Sequence, residues 1–328
     1  MKILICGGAG YIGSHMTLHA LEQGHEVVVL DNLSTGHAEA VPAGLLVEMD
    51  VLNTGPLTDF LTENTFDLVM HFCAFSLVGE SVENPEKYFR NNVDGSRSLL
   101  SAMLETGHRQ LVFSSTAAVY GQPQADLINE NHPRDPINPY GETKVMVENI
   151  LQDFLRVHGM NSVALRYFNA AGADPKGRIG ERHEPETHLI PNILKSVVSE
   201  KTAGLKVFGD DYPTRDGTCE RDYIHINDLA RAHLAAGEYL AANPGAHAFN
   251  LGNSFGYTVK EIIAASEKVT GYGIPYEIHP RREGDPPTLV ADATLANKVL
   301  GWTPEIVDVE ALIATAWAWH QHETFRLN

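Results

Sequence analysis

The run Ile3-Leu4-Ile5-Cys6 passes directly into Gly7-Gly8-Ala9-Gly10-Tyr11-Ile12-Gly13, an apolar strand pattern followed by a G-x-x-G-x-x-G turn and then a helical pattern. A buried strand that turns at once into a helix needs glycines where the backbone doubles back and where helix packs on strand. The helix N-terminus then points amides and a positive dipole at whatever lies beyond, a ready seat for a pyrophosphate. A plain glycine-rich turn has the same pattern, so the next strand decides. It ends Val27-Val28-Val29-Leu30-Asp31, placing a carboxylate 18 residues after Gly13. A ribose-binding acid is expected about 20 residues on, and a carboxylate there repels a 2′-phosphate, which favours NAD over NADP.

Further apolar runs at Leu45 to Met49, Leu68 to Phe72, Gln110 to Ser114 and Ser162 to Arg166 read as strands buried on both faces. Helical patterns near residues 11–23, 55–64, 84–106 and 139–158 separate them. This rhythm predicts an α/β chain, a doubly wound parallel-sheet Rossmann fold, with a smaller mixed α/β C-terminal substrate lobe. From about residue 170 the texture turns to Gly, Pro and charge, which reads as a long loop leaving the sheet. Helices are expected at 187–200, 227–242, 258–270 and 308–320, with strands near 206–208, 247–251 and 275–279. The expected division is 1–170 for the nucleotide and 171–328 for the substrate, with segments of the second returning to the first; a chain of 328 residues suits two domains of about 150 each.

Charge excludes several classes of partner. Lys+Arg 24 against Asp+Glu 42 leaves −18, which repels nucleic acid and anionic membrane surfaces. Cys6, Cys73 and Cys219 form no C-x-x-C pair, and no apolar stretch is long enough for a membrane span. A cytoplasmic location is expected. An anionic ligand must then be met by a few placed cations, of which Arg221 and Arg282 are candidates; ion pairs with Asp222 or Asp285 would explain them equally well.

The catalytic candidates are Tyr140 and Lys144, at i and i+4 near the start of a helix, with Thr116 at the end of the fifth strand. That spacing puts phenol and ammonium on one helical face. A tyrosine with an ordinary pKa near 10 must fall by about 3 units, roughly 4 kcal/mol, to act near neutrality. Lys144 together with a nicotinamide cation is expected to supply this, while Thr116 holds the reacting oxygen. Asp50 reads either as an adenine contact or as a cap for the helix that follows.

With these motifs in place, the chain resembles the extended short-chain dehydrogenase/reductase superfamily and, within it, the UDP-glucose 4-epimerase family. The likeness runs through Gly7 to His15, Phe75 to Val82, Asn91-Asn92-Val93, Tyr140 with Lys144, Arg166 to Ala173, Phe208 to Thr214, Arg221 to His225 and Arg282 to Asp285. It implies that NAD is held by Gly7, Gly10, Tyr11, Ile12, Gly13, Asp31, Asn32, Leu33, Ser34, Thr35, Gly36, Asp50, Val51, Phe72, Cys73, Ala74, Phe75, Ser76, Asn91, Thr116, Tyr140, Lys144 and Phe168. It likewise implies that a UDP-sugar meets Thr116, Tyr140, Asn169, His188, Leu189, Phe208, Arg221, Tyr223, Arg282, Asp285 and Leu289. Phe208 or Tyr223 is expected either to stack on uracil or to lie in the core. The resemblance also implies a homodimer built on helices near 84–106 and 139–158, where Val145, Ile150, Leu151, Phe154 and Leu155 form an apolar stripe that burial against the sheet would equally explain.

The chain departs from some relatives. Ser76 replaces a lysine, His188 an asparagine and Leu289 a tyrosine, the last leaving room beside sugar C2. Among alternatives, another nucleotide-sugar 4-epimerase acting on a uronate or pentose shares these motifs. A 4,6-dehydratase needs acidic groups after Thr116, where this chain has Ala117 and Ala118. A non-catalytic NAD sensor has no use for a phenolate. The stretch His183-Glu184-Pro185-Glu186-Thr187-His188 lacks H-E-x-x-H spacing and carries a proline, so no metal is expected.

Overall fold

The computed structural model describes residues 1–198, 205–282, 285–322 and 324–327. Its centre is a seven-stranded sheet in the order Ala246–Leu251, Asn161–Tyr167, Gln110–Thr116, Leu68–His71, Lys2–Cys6, Glu26–Asp31, Leu46–Glu48. Every pair in it is parallel. Alternation along the first strand sets the two layers. Ile3 and Ile5 pack with Met16, Leu229 and Leu240 from helices Tyr11–Glu22 and Ile226–Ala242. Leu4 and Cys6 pack on the opposite face with Leu57, Leu99 and Leu151 from Thr54–Glu63, Gly95–Thr106 and Pro139–His158. A strand with both faces covered is apolar throughout, which is why these runs show no polar alternation.

The expected helix at 84–106 is interrupted. Pro85–Tyr88 leads into a wide turn, Phe89–Asp94, with π-type bonding before Gly95–Thr106 resumes. The extra residue in that turn swings Asn92 inward, where it is 2% exposed. The loop expected from residue 170 begins instead as a short strand, Asn169–Ala171, parallel to Glu220–His225. Strands Gly256–Thr258 and Thr288–Leu289 flank that second strand, and Leu205–Phe208 pairs with Tyr276–His279. A separate core forms here from Ile193, Ile262 and Ile313 of helices Leu189–Val198, Val259–Thr270 and Val309–His320. Residues 199 and 200 of the expected helix, and Glu283-Gly284 of the quoted motif, lie outside the described residues.

Helix Ile226–Ala242 and strand Ala246–Leu251 return to complete the central layer before the chain leaves again for the smaller lobe. Ala293, Ala296 of helix Thr294–Leu300 and Trp302 then come back to the same core as Ile3 and Ile5.

One buried polar network binds the layers. Glu148, on helix Pro139–His158, accepts from Arg166 Nε at 2.9 Å, Arg166 Nη2 at 2.6 Å, Ser115 Oγ at 2.6 Å and Arg134 Nη1 at 2.9 Å. The Arg166 and Glu148 side chains are 6% and 5% exposed. Burial opposes ionising Glu148, but the Arg166 bonds outweigh it and hold the carboxyl below its ordinary range. Removing one member of such a pair strands a buried charge. Arg166→Met should therefore cost about 3–5 kcal/mol in urea unfolding, and Arg166→Met with Glu148→Leu should recover much of that loss.

Candidate active site

The site lies at the carboxyl ends of the strands, where the order changes direction between Lys2–Cys6 and Leu68–His71. Connections leave toward opposite faces at that point and open a crevice. Gly7, at φ +83°, turns out of the first strand. A Cβ on Gly13 would stand 2.2 Å from the Gly7 carbonyl oxygen, so the helix can pack this close only without a side chain. The turn is thus a bare backbone cradle of the kind a pyrophosphate requires, and it fits NAD.

Asp31 is 7% exposed, and its two oxygens accept the Ala9 and Leu33 amides at 2.9 and 2.8 Å. The carboxylate therefore tethers the glycine turn to the loop at 31–36 while keeping lone pairs for a ribose. Asp50 caps no helix: it accepts from Leu52 N at 2.8 Å and Asn32 Nδ2 at 3.0 Å. Helix Thr54–Glu63 begins instead at Asn53 with no side-chain cap, because the turn at Asp50 to Asn53 closes on itself first.

Phe72, Cys73, Ala74, Phe75 and Ser76 line the exit of the fourth strand. The buried Asn92 holds them: its Oδ1 accepts Phe75 N at 2.9 Å, while its Nδ2 donates to Phe75 O at 3.0 Å and Thr143 Oγ1 at 3.1 Å. The neighbouring Asn91 donates to Asn92 Oδ1 at 2.9 Å. Sequence reasoning picks Asn91 as the site residue and misses the positioning role of Asn92; the doubled asparagine in a helical pattern was the signal.

Tyr140 reaches the crevice because its helix starts where it does. Asn138 caps the helix by accepting Gly141 N at 2.8 Å, and Pro139 occupies the first position. A Cβ at Gly141 would lie 2.5 Å from the Ala118 carbonyl oxygen, so glycine lets the helix abut the turn after Thr116. Thr116, at the end of the fifth strand, lies beside the Tyr140 phenol and favours its charged form.

The electrostatics differ from expectation. Lys144 does not touch the phenol: its Nζ donates to Ser114 O at 2.7 Å and lies 5.9 Å from the Tyr140 ring centre. Burial pushes Tyr140 up to about 12 against the lowering influence of Thr116, and burial brings Lys144 down to about 7. Both shifts have one cause, since taking either group from water disfavours its charged form. The i, i+4 spacing puts the two on one face, with Lys144 buried and Tyr140 half-buried at the crevice. Burial raises the phenol rather than lowering it.

The remaining candidates spread over the smaller lobe. Asn169 opens its first strand, and Leu289 pairs with Arg221 in register. Leu289 packs near Val119, Tyr120 and Ile128, as does Phe168. Arg221 donates to Glu220 O at 2.8 Å and Pro286 O at 2.9 Å, and its Nη2 stands 3.5 Å from Asp285. Arg282 lies 4.0 Å over the Phe208 ring. Tyr223 is 6% exposed within the lobe's core, whereas Phe208 is half-buried with Arg282 over its ring. His188 leads into helix Leu189–Val198 and contacts Glu181 at 2.5 Å.

Known proteins share this arrangement. The family model for the NAD dependent epimerase/dehydratase family matches residues 3–252. The UDP-glucose 4-epimerase of Halalkalibacterium halodurans is 49% identical over 98% of this chain and 96% of its own length. The crystal structure of UDP-glucose 4-epimerase from Brucella ovis in complex with NAD superposes with a TM-score of 0.94 at 46% identity, covering 98% of each chain. That of the UDP-Glc/GlcNAc 4-epimerase from Campylobacter jejuni does so with a TM-score of 0.85 at 41% identity, covering 97% of this chain and 98% of its own. Glycine turn, strand-end threonine and helix-borne tyrosine thus occur in a chain matched almost from end to end by these enzymes, and the chain belongs to the NAD dependent epimerase/dehydratase family.

Proposed function

We propose that this protein interconverts UDP-glucose and UDP-galactose by NAD-dependent 4-epimerisation, and turns over the N-acetylated pair more slowly. The observation that carries the reading is the placement of Thr116 beside the Tyr140 phenol at the mouth of the crevice, with Lys144 one helical turn along. Near-full-length identity to a UDP-glucose 4-epimerase supports the substrate class. The glycine turn, Asp31, the loop at 32–36 and the Phe72 to Ser76 exit would hold the cofactor. NAD held there would supply a reversible hydride acceptor and a positive charge.

Tyr140 then takes the proton of the sugar 4-hydroxyl and returns it to the 4-keto oxygen after the sugar has presented its other face. Thr116 orients that oxygen. Lys144, fixed on Ser114 O, adds positive potential at the phenol without competing for its proton. Ala117 and Ala118 offer no further acid or base, which fits epimerisation and not dehydration. Arg221, Arg282 and Phe208 are suited to a diphosphate and a base.

We further propose a homodimer in the cytoplasm. Of the predicted stripe, Leu151 is buried against this chain's own sheet, while Val145, Ile150, Phe154 and Leu155 are half-buried. Val78 and Val82 of helix Val78–Glu83, with Met146 and Val157 of Pro139–His158, are the apolar residues left exposed there. All three cysteines are unpaired, as suits a reducing compartment, and among the described residues no helix is long and apolar enough to cross a membrane.

Three measurements test this reading. Tyr140→Phe should keep its circular dichroism spectrum and lose about 10² to 10⁴ in turnover with UDP-galactose; a near-normal rate overturns the assignment. Leu289→Tyr should selectively suppress UDP-N-acetylgalactosamine turnover and spare UDP-galactose, and equal loss of both would place specificity elsewhere. Light scattering at micromolar concentration should give twice the chain mass of 35.9 kDa.

A further inference from the structure

The segment between strand Asn169–Ala171 and helix Leu189–Val198 has no regular structure from 172 to 188, yet four of its side chains converge. One donor atom each from Glu181, His183, Glu186 and His188 lies within 4.8 Å of all the others. His188 Nδ1 is 2.5 Å from Glu181 Oε1, His183 Nδ1 is 3.3 Å from the same oxygen, and Glu186 stands 3.7 Å from each imidazole. Tetrahedral zinc with bonds of about 2.0–2.2 Å sets neighbouring donors about 3.3–3.5 Å apart. The cluster straddles that spacing.

We propose that Glu181, His183, Glu186 and His188 bind a single divalent transition-metal ion of the Zn²⁺ class, which fastens this segment in front of helix Leu189–Val198. The argument against metal from sequence spacing assumed a helix presenting both imidazoles. A folded loop needs no such period. Two further observations point to an ion. His183 Nδ1 and Glu186 Oε2 are buried and make no hydrogen bond, although the Glu181 and Glu186 side chains are only 4% and 6% exposed. Lys195, 3.7 Å from Glu186 Oε2, is too far to hydrogen-bond that oxygen. The donors are also braced from behind: Glu186 Oε1 accepts Thr187 N at 2.9 Å and His188 N at 3.0 Å, and Trp319 Nε1 fixes the Glu181 carbonyl at 2.9 Å. Outer hydrogen bonds of this kind orient ligands in metal sites.

Ligand type selects the ion. Two neutral imidazoles and two carboxylates form a ligand set of formal charge −2, of which Lys195, 3.7 Å from Glu186 Oε2, offsets part, and the remainder favours a divalent cation. Imidazole disfavours magnesium and calcium, and the absence of thiolate from the set disfavours softer ions. The role is structural, since all four positions are filled by protein.

The test uses the intact wild-type chain, stripped with a chelator and titrated with Zn²⁺ against a chromophoric competitor. One equivalent should bind per chain, and Zn²⁺ should raise the melting temperature. His183→Gln and Glu186→Gln should each weaken binding roughly tenfold or more. His158→Gln, on an exposed residue of another helix, controls for the other histidines among the 16 in the chain and should bind as wild type does. Should either site variant fold poorly, X-ray absorption at the zinc edge of the wild-type protein decides: a nitrogen and oxygen shell of four without sulfur supports the site. No saturable uptake, uptake unchanged in both variants, or a shell containing sulfur overturns it and leaves the cluster as imidazolium–carboxylate pairs held by protons alone.

Discussion

The ion pair of Glu148 with Arg166 is the constraint on which the catalytic arrangement depends. Tyr140, Lys144 and Glu148 recur every four residues along one helix, so all three face the sheet. Three polar groups on a buried stripe would ordinarily push a helix away from apolar strands. Arg166 and Ser115 answer from the strands opposite, giving Glu148 fixed partners on both. With that end anchored, Lys144 is drawn down onto Ser114 O and Tyr140 is delivered to Thr116. The same anchor accounts for the burial that raises the phenol and lowers the ammonium.

Burial works against charge on both catalytic candidates, pushing the phenol up to about 12 and bringing the ammonium down to about 7. Contacts along a dinucleotide and a nucleotide sugar are where that cost can be offset. Asp31 follows the same logic from the other side, since burial raises its pKa while the amides of Ala9 and Leu33 favour its charge.

The central sheet was legible because parallel strands buried on both faces leave continuous apolar runs, and Gly7, Gly13 and Asp31 have few other uses at that spacing. Other features left weaker traces. The π-turn at Phe89–Asp94 keeps a helical pattern in the sequence while moving Asn92 to a new face. Strands of two or three residues, such as Asn169–Ala171 and Thr288–Leu289, are too short to show a period. The meeting of Glu181 with His188 depends on how a loop folds, which spacing rules written for helices do not address. The burial of the Tyr140 and Lys144 face is likewise a property of everything packed against it.

The late arrival of strand Ala246–Leu251 in the central sheet bears on how the protein emerges during synthesis. Strand Ala246–Leu251 forms one edge of the sheet and pairs with Asn161–Tyr167, yet some eighty residues of the smaller lobe and of helix Ile226–Ala242 are made between them. Until residue 251 has cleared the ribosome, Asn161–Tyr167 stands as an open parallel edge with apolar faces only partly covered. Such an edge invites pairing with other chains. Nascent chains arrested anywhere between the two strands are accordingly the forms most in need of a chaperone, and in the finished protein Ala246–Leu251 takes over as the edge.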